Sequence, residues 1–180
     1  MDLATHQRSL LGLLRSNLDS SACTDPYIHR VAQSPDLQEA KRNIFLWRIY
    51  VLERTAPLTF RLLEQRGQLA ARVAHFIATR NISPFRETQA PAFLEASSES
   101  ADSLERSVAR FELALLKVKA GDQGRHIAIW EFEPQVILHS LASAIPLPDP
   151  LPLGLYHTVV SRGFAGNLQI VSGHPPVFNG

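Results

Sequence analysis

The sequence predicts an α+β fold: an N-terminal helical bundle followed by a small antiparallel sheet. Three observations predict it. Up to Gly121 the apolar residues recur at helical spacing, whereas Ile127 to Phe132, Leu155 to Ser161 and Leu168 to Ser172 are rich in β-formers. Between those strands lie one short helical pattern and a bend with four prolines, Pro146, Pro148, Pro150 and Pro152. A helical domain over 1–121 and a strand-helix-hairpin module over 122–180 follow from this division.

Each element has a local reason. Leu3, Leu10, Leu14 and Leu18 share one helical face, with Leu11 beside them. Ser20 to Pro26 reads as a loop. Ser34-Pro35-Asp36 starts a helix: a capping serine, a proline at the first helical position and an acid near the positive end of the dipole. Leu37, Ile44, Trp47, Val51 and Arg54 form its stripe, widened by Phe45, Ile49 and Leu52, so burial on more than one side is expected. Pro57 breaks that helix, Leu58 to Gln65 resumes it, and Gly67 suits a left-handed cap.

Leu69, Val73, Phe76 and Ile77 predict another helix, stopping near Asn81. Pro84 to Ala96 reads as mixed, with a short helix at Ala92 to Glu95, and the polar Ser97 to Ser103 reads as a linker. Leu104, Val108, Phe111, Leu115 and Val118 then recur at spacings of four and three, a heptad-like seam closed by Gly121. Ile127, Ile129 and Glu131 alternate with Ala128, Trp130 and Phe132. Pro134 opens a short helix facing inward through Val136, Ile137 and Leu141. The proline-rich bend is extended and stiff, and Gly163 to Asn167 is a hairpin loop.

Composition narrows the function classes. The 180 residues are 45% hydrophobic and 19% charged, which supports a core rather than disorder. With 18 basic and 17 acidic residues the net charge is +1, without the basic excess of a general nucleic-acid binder. The single cysteine, Cys23, excludes an intramolecular disulfide and argues against cysteine-rich zinc sites. No apolar run reaches the roughly 20 residues of a membrane span. The leucines at 10–14 are bracketed by Arg8 and Arg15 and do not read as a signal. A cytoplasmic protein is expected.

No catalytic pattern stands out. The seven histidines are scattered without metal-binding pair spacing, and no nucleophile elbow or phosphate-binding loop occurs. Glu131 and Glu133 share a strand face and read as a solvated edge. Trp47 reads as core. Arg48 and Tyr50 read as hydrogen-bonding groups at the core edge or as interface anchors. A sheet of about three strands has edges that accept an extended peptide unless helices or the proline-rich bend cover them.

The order of the motifs resembles a known family. Leu46-Trp47-Arg48-Ile49-Tyr50, a proline break and Phe60-Arg61-Leu62-Leu63 resemble its tyrosine-arginine helix and arginine-leucine-leucine turn. Leu104 to Glu112 is similar to its leucine-alanine-arginine-leucine-glutamate helix. Trp130-Glu131-Phe132-Glu133-Pro134, Leu147-Pro148 and Val159 to Arg162 follow in the family's order. Its members carry a DNA-binding-domain label, and the resemblance spans residues 1–172.

The resemblance implies a noncatalytic partner of multinuclear non-haem iron oxidative enzymes. These enzymes modify cysteines of ribosomally made precursor peptides, as in methanobactin and 3-thiaglutamate pathways. The iron belongs to the enzyme, so no cofactor is expected in this chain. The C-terminal sheet is expected to take the precursor's leader as an added strand. The expected peptide-binding residues are Tyr156, Thr158, Val159, Val160, Leu168 and Ile170, and the expected enzyme-interface residues are Arg48 and Tyr50. No membrane partner is expected. The alternative reading is a DNA-binding transcriptional regulator.

Overall fold

A computed structural model describes residues 2–15, 25–80, 82 and 86–173. Among these are eight α-helices, mostly N-terminal, and one three-stranded antiparallel sheet, an α+β fold. The helices are α1 (Leu3–Leu14), α2 (Pro26–Gln33), α3 (Pro35–Thr55), α4 (Pro57–Gln65), α5 (Leu69–Thr79), α6 (Arg86–Ser97), α7 (Ser103–Lys119) and α8 (Pro134–Ala142). The strands are β1 (His126–Phe132), β2 (Leu153–Val160) and β3 (Leu168–Ser172), in spatial order β1-β2-β3. No described helix is long and apolar enough to cross a membrane.

Local chemistry explains the helix starts. Ser34 caps α3 by accepting from Asp36 N at 3.1 Å, ahead of Pro35. Asp25 does the same for α2, accepting from Tyr27 N at 2.8 Å ahead of Pro26. The expected loop over Ser20 to Pro26 therefore ends in a helix start, while its residues up to 24 lie outside the described residues. Ala56 offers α4 no side-chain cap. Glu112 of α7 supplies one, accepting from Leu58 N and Thr59 N, both at 2.8 Å.

Three expectations about the helices need correction. α1 buries Leu13, whereas Leu3 is exposed. Helix α6 runs from Arg86 to Ser97 with Pro91 inside it. Its packing against α3 and α7 outweighs the single ladder bond that Pro91 forfeits. The Ser97 to Ser103 stretch is a structured corner rather than a linker. Ser97 and Ser100 are buried there, and Ser100 Oγ donates to Glu105 Oε2 at 2.8 Å.

The expected division near residue 121 does not separate two cores. Leu62 of α4 and Leu104, Val108, Phe111 and Val118 of α7 form one buried cluster with Ala128, Trp130, Ile137, Leu141 and Val160. The rings of Phe111 and Trp130 meet edge-on, 6.0 Å apart. A second cluster joins Leu52, Phe60, Leu63, Val73, Phe76 and Phe93, and a third joins Leu13, Ile28 and Leu37. The proline-rich bend is pinned to the helical bundle and the main core. Gln65 donates to Ile145 O at 3.0 Å and accepts from Leu147 N at 3.1 Å, while Leu147 and Leu151 pack on the main cluster.

Candidate functional site

The two outer edges of the sheet are built differently. The bonds Ser161 N to Asn167 O and Gly173 N to Leu155 O fix the phase of the β2–β3 ladder. In an antiparallel pair, alternate residues point their backbone groups at opposite neighbours. The odd-numbered residues of β2 therefore bond β3, and Tyr156, Thr158 and Val160 bond β1. On β3 this leaves the N–H and C=O groups of Leu168, Ile170 and Ser172 facing away from the sheet. On β1 it leaves those of Ile127 and Ile129.

The β1 edge is partly covered. Helix α7 lies against this strand, and Ser107 Oγ donates to Ile129 O at 2.7 Å. The β3 edge carries no neighbouring strand among the described residues. Ile170 is 36% exposed and Leu168 half-buried. From Gly163 to Gly173 the chain holds no charged residue and no proline, the groups that usually guard an exposed edge. Gly166, with φ +67°, makes the tight turn that delivers β3 to this position.

This geometry sorts the expected peptide-binding residues. Leu168 and Ile170 sit on the open edge. Tyr156, Thr158, Val159 and Val160 sit on β2, the central strand, whose two edges are both occupied. Thr158 and Val160 are also fully buried, and Trp130 Nε1 donates to Thr158 Oγ1 at 3.0 Å. These four residues support the edge and do not form it. The sequence shows which segments are strands but not their spatial order.

The expected enzyme-interface pair divides in the same way. Arg48 is only 7% exposed. It donates to Ile82 O at 3.0 Å and Gln89 Oε1 at 3.3 Å, and its own carbonyl accepts from Gln89 Nε2 at 3.0 Å. Burial, with a smaller contribution from the Arg15 charge, lowers its pKa. Arg48 thus ties α3 to α6 and is not a surface anchor. Tyr50 is exposed.

Trp47 reverses the expectation of a core residue, because it is 50% exposed. Its ring stacks on Tyr50 with centroids 5.6 Å apart, and the Arg54 guanidinium lies 3.7 Å from the Tyr50 centroid. Leu46 is exposed beside them. The buried stripe of α3 runs through Leu37, Arg48, Val51 and Leu52, which turns Trp47 outward. Arg54 continues this surface into a groove of about 650 Å³ lined by Pro57, Leu58, Pro91, Leu115 and Leu116.

Several other arginines work inside the molecule. Arg61 donates to Leu141 O at 2.6 Å and Ala142 O at 2.7 Å, satisfying carbonyls at the end of α8. Arg162 donates to Val118 O at 3.2 Å near the end of α7. Arg72 pairs with the buried Glu105 at 2.6 Å. Burial raises the pKa of Glu112, opposed by the N–H groups it receives from Thr59 and Leu58. Among the described residues, no three His, Cys, Asp or Glu side chains gather where they could hold a metal ion. Neither a family model nor a curated protein matches this chain.

Proposed function

We propose that this chain is a noncatalytic partner subunit of a multinuclear non-haem iron oxidase, and that it holds the extended leader of a ribosomally made precursor peptide. The observation that carries the reading is the β3 edge, which is charge-free, has no neighbouring strand among the described residues and packs on the main core through Leu168. Strand addition suits such an edge. Leu168, Ile170 and Ser172 offer backbone groups for affinity, and alternate peptide side chains pack beside Leu168 and Ile170 for selectivity. The sequence resemblance supplies the identity of the partner. Iron and its ligands would reside in the enzyme, and the assembly would work in the cytoplasm.

The enzyme would dock on the outer face of α3. Trp47, Tyr50 and Arg54 are the residue types that dominate interface energetics, and the exposed Leu46 adds apolar surface beside them. In this reading Arg48 holds the face in place from beneath.

Co-purification with candidate multinuclear non-haem iron oxidases from the chain's own gene neighbourhood, followed by titration with the leader peptide, tests the proposal. A one-to-one complex whose peptide affinity falls with Ile170→Pro, but not with Ile129→Ala on the partly covered edge, is the expected result. A chain that binds neither partner would overturn it.

A further inference from the structure

The β3 edge is self-complementary, and we infer that two copies of the free chain pair β3 to β3 through it. This inference concerns the edge assigned above to the leader and rests on that reading for its regulatory consequence. The self-pairing itself rests on the strand alone.

A strand placed antiparallel to its own copy by a two-fold axis makes an isologous contact, in which the same groups face each other on both sides. The phase of the β2–β3 ladder directs the backbone of Leu168, Ile170 and Ser172 outward. With the axis at Ile170, each of these residues meets a partner whose groups also point outward. Ile170 faces Ile170 of the second copy, and Leu168 faces Ser172. This register forms about six backbone hydrogen bonds, two per directly bonded pair.

Charge permits the contact. A two-fold axis places like charges together, and a single lysine near Ile170 would oppose its own copy across the axis. The 11 residues from Gly163 to Gly173 contain no charge. They also contain no proline, which would delete a donor. Ile170, 36% exposed in the single chain, would be covered by its symmetry mate. The other edge is less free to pair in this way, because helix α7 lies against β1 and brings Ser107 Oγ to 2.7 Å from Ile129 O.

The consequence is competition. One edge cannot bond a second copy and a leader peptide together. Self-pairing would close the edge when no peptide is present, and peptide capture would release a single chain to the enzyme. The contact is small, so the dimer should form and dissociate readily.

Sedimentation of the full chain across a concentration series tests the inference, with and without the leader peptide. The expected result is a concentration-dependent rise from 20.0 kDa toward twice that mass. Ile170→Lys should abolish the rise while keeping a cooperative thermal transition. A second measurement covers the case where that variant fails to fold. In a Cys23→Ser background, Ile170→Cys should form an intermolecular disulfide roughly tenfold faster than Gln169→Cys, because only position 170 meets itself within disulfide reach.

A chain that stays monomeric, or a dimer that survives Ile170→Lys without cross-linking at 170, overturns self-pairing. Dissociation of the dimer by the leader supports the shared edge, whereas a dimer that keeps bound leader overturns it. A dimer that depends on Ile170 and ignores the leader upholds self-pairing and overturns the leader reading of β3.

Discussion

β1 and β3 are both outer strands of one small sheet, yet a helix lies against β1 and, among the described residues, no strand lies beside β3 on its outer edge. β1 lies against α7, its Trp130 ring is packed on Phe111, and the Ile129 carbonyl is taken by Ser107. β3 is attached through β2 and leaves Leu168, Ile170 and Ser172 without a neighbouring strand. The comparison teaches that edge availability is decided by what packs beside a strand. Both strands are rich in apolar residues, but β1 carries Glu131 whereas β3 carries no charge. Helix α3 repeats the contrast within one element: its buried side carries Arg48, Val51 and Leu52, and its open side carries Trp47 and Tyr50.

The largest predicted effect separates the two tryptophans. Trp130→Ala should lower unfolding free energy by about 3–5 kcal/mol, since it empties the centre of the main core. Trp47→Ala should cost about 1 kcal/mol or less and instead weaken enzyme binding. Denaturant titration of both variants checks this. Equal destabilisation would erase the distinction between core and surface.

Next comes the Arg48 and Tyr50 pair. Arg48→Ala should cost about 2–3 kcal/mol, because it leaves the Gln89 side chain and the Ile82 carbonyl without their donors. Tyr50→Ala should leave stability nearly unchanged and reduce affinity for the iron oxidase about tenfold or more. Thermal melts alongside calorimetric titration separate the two outcomes.

Ser107→Ala sharpens the comparison of edges. It should cost about 1 kcal/mol by exposing the Ile129 carbonyl, and should not change leader affinity at β3. A gain in leader binding would show that β1 competes for the peptide.

The smallest effect concerns pH. Burial raises the Glu112 pKa above its ordinary value of 4.5. Its contribution to stability is therefore fully present below pH 4.5 and is lost as the pH rises through the higher folded-state value. Glu112→Gln should be less stable than the parent at low pH, with a gap that narrows as the pH rises. Melting both proteins from pH 4 upward, about half a unit at a time, reads the gap. A gap that widens with pH would mean that the N–H groups of Leu58 and Thr59 outweigh burial.

Features encoded by neighbouring residues were legible in the sequence. Ser34-Pro35 starts α3, the seam from Leu104 to Val118 lies on α7, and Leu168 to Ser172 is β3 with the boundaries expected. The same logic applied to Asp25-Pro26 would have found α2. Features that depend on a distant partner were not legible. Arg48 is buried because Gln89, 41 residues away, receives it. Glu112 caps a helix that begins more than 50 residues earlier. Of the six residues expected at the peptide site, Leu168 and Ile170 lie on the open edge. The other four depended on strand order, and no local pattern carries that order.

Amide-resolved hydrogen exchange on the monomeric chain, with and without the leader peptide, tests the central claim most directly. The account predicts that the leader slows exchange at the amides of Leu168, Ile170 and Ser172 and leaves Ile127 and Ile129 unchanged. Slowed exchange at the β1 amides, or unchanged exchange at β3 with the leader bound, would contradict it.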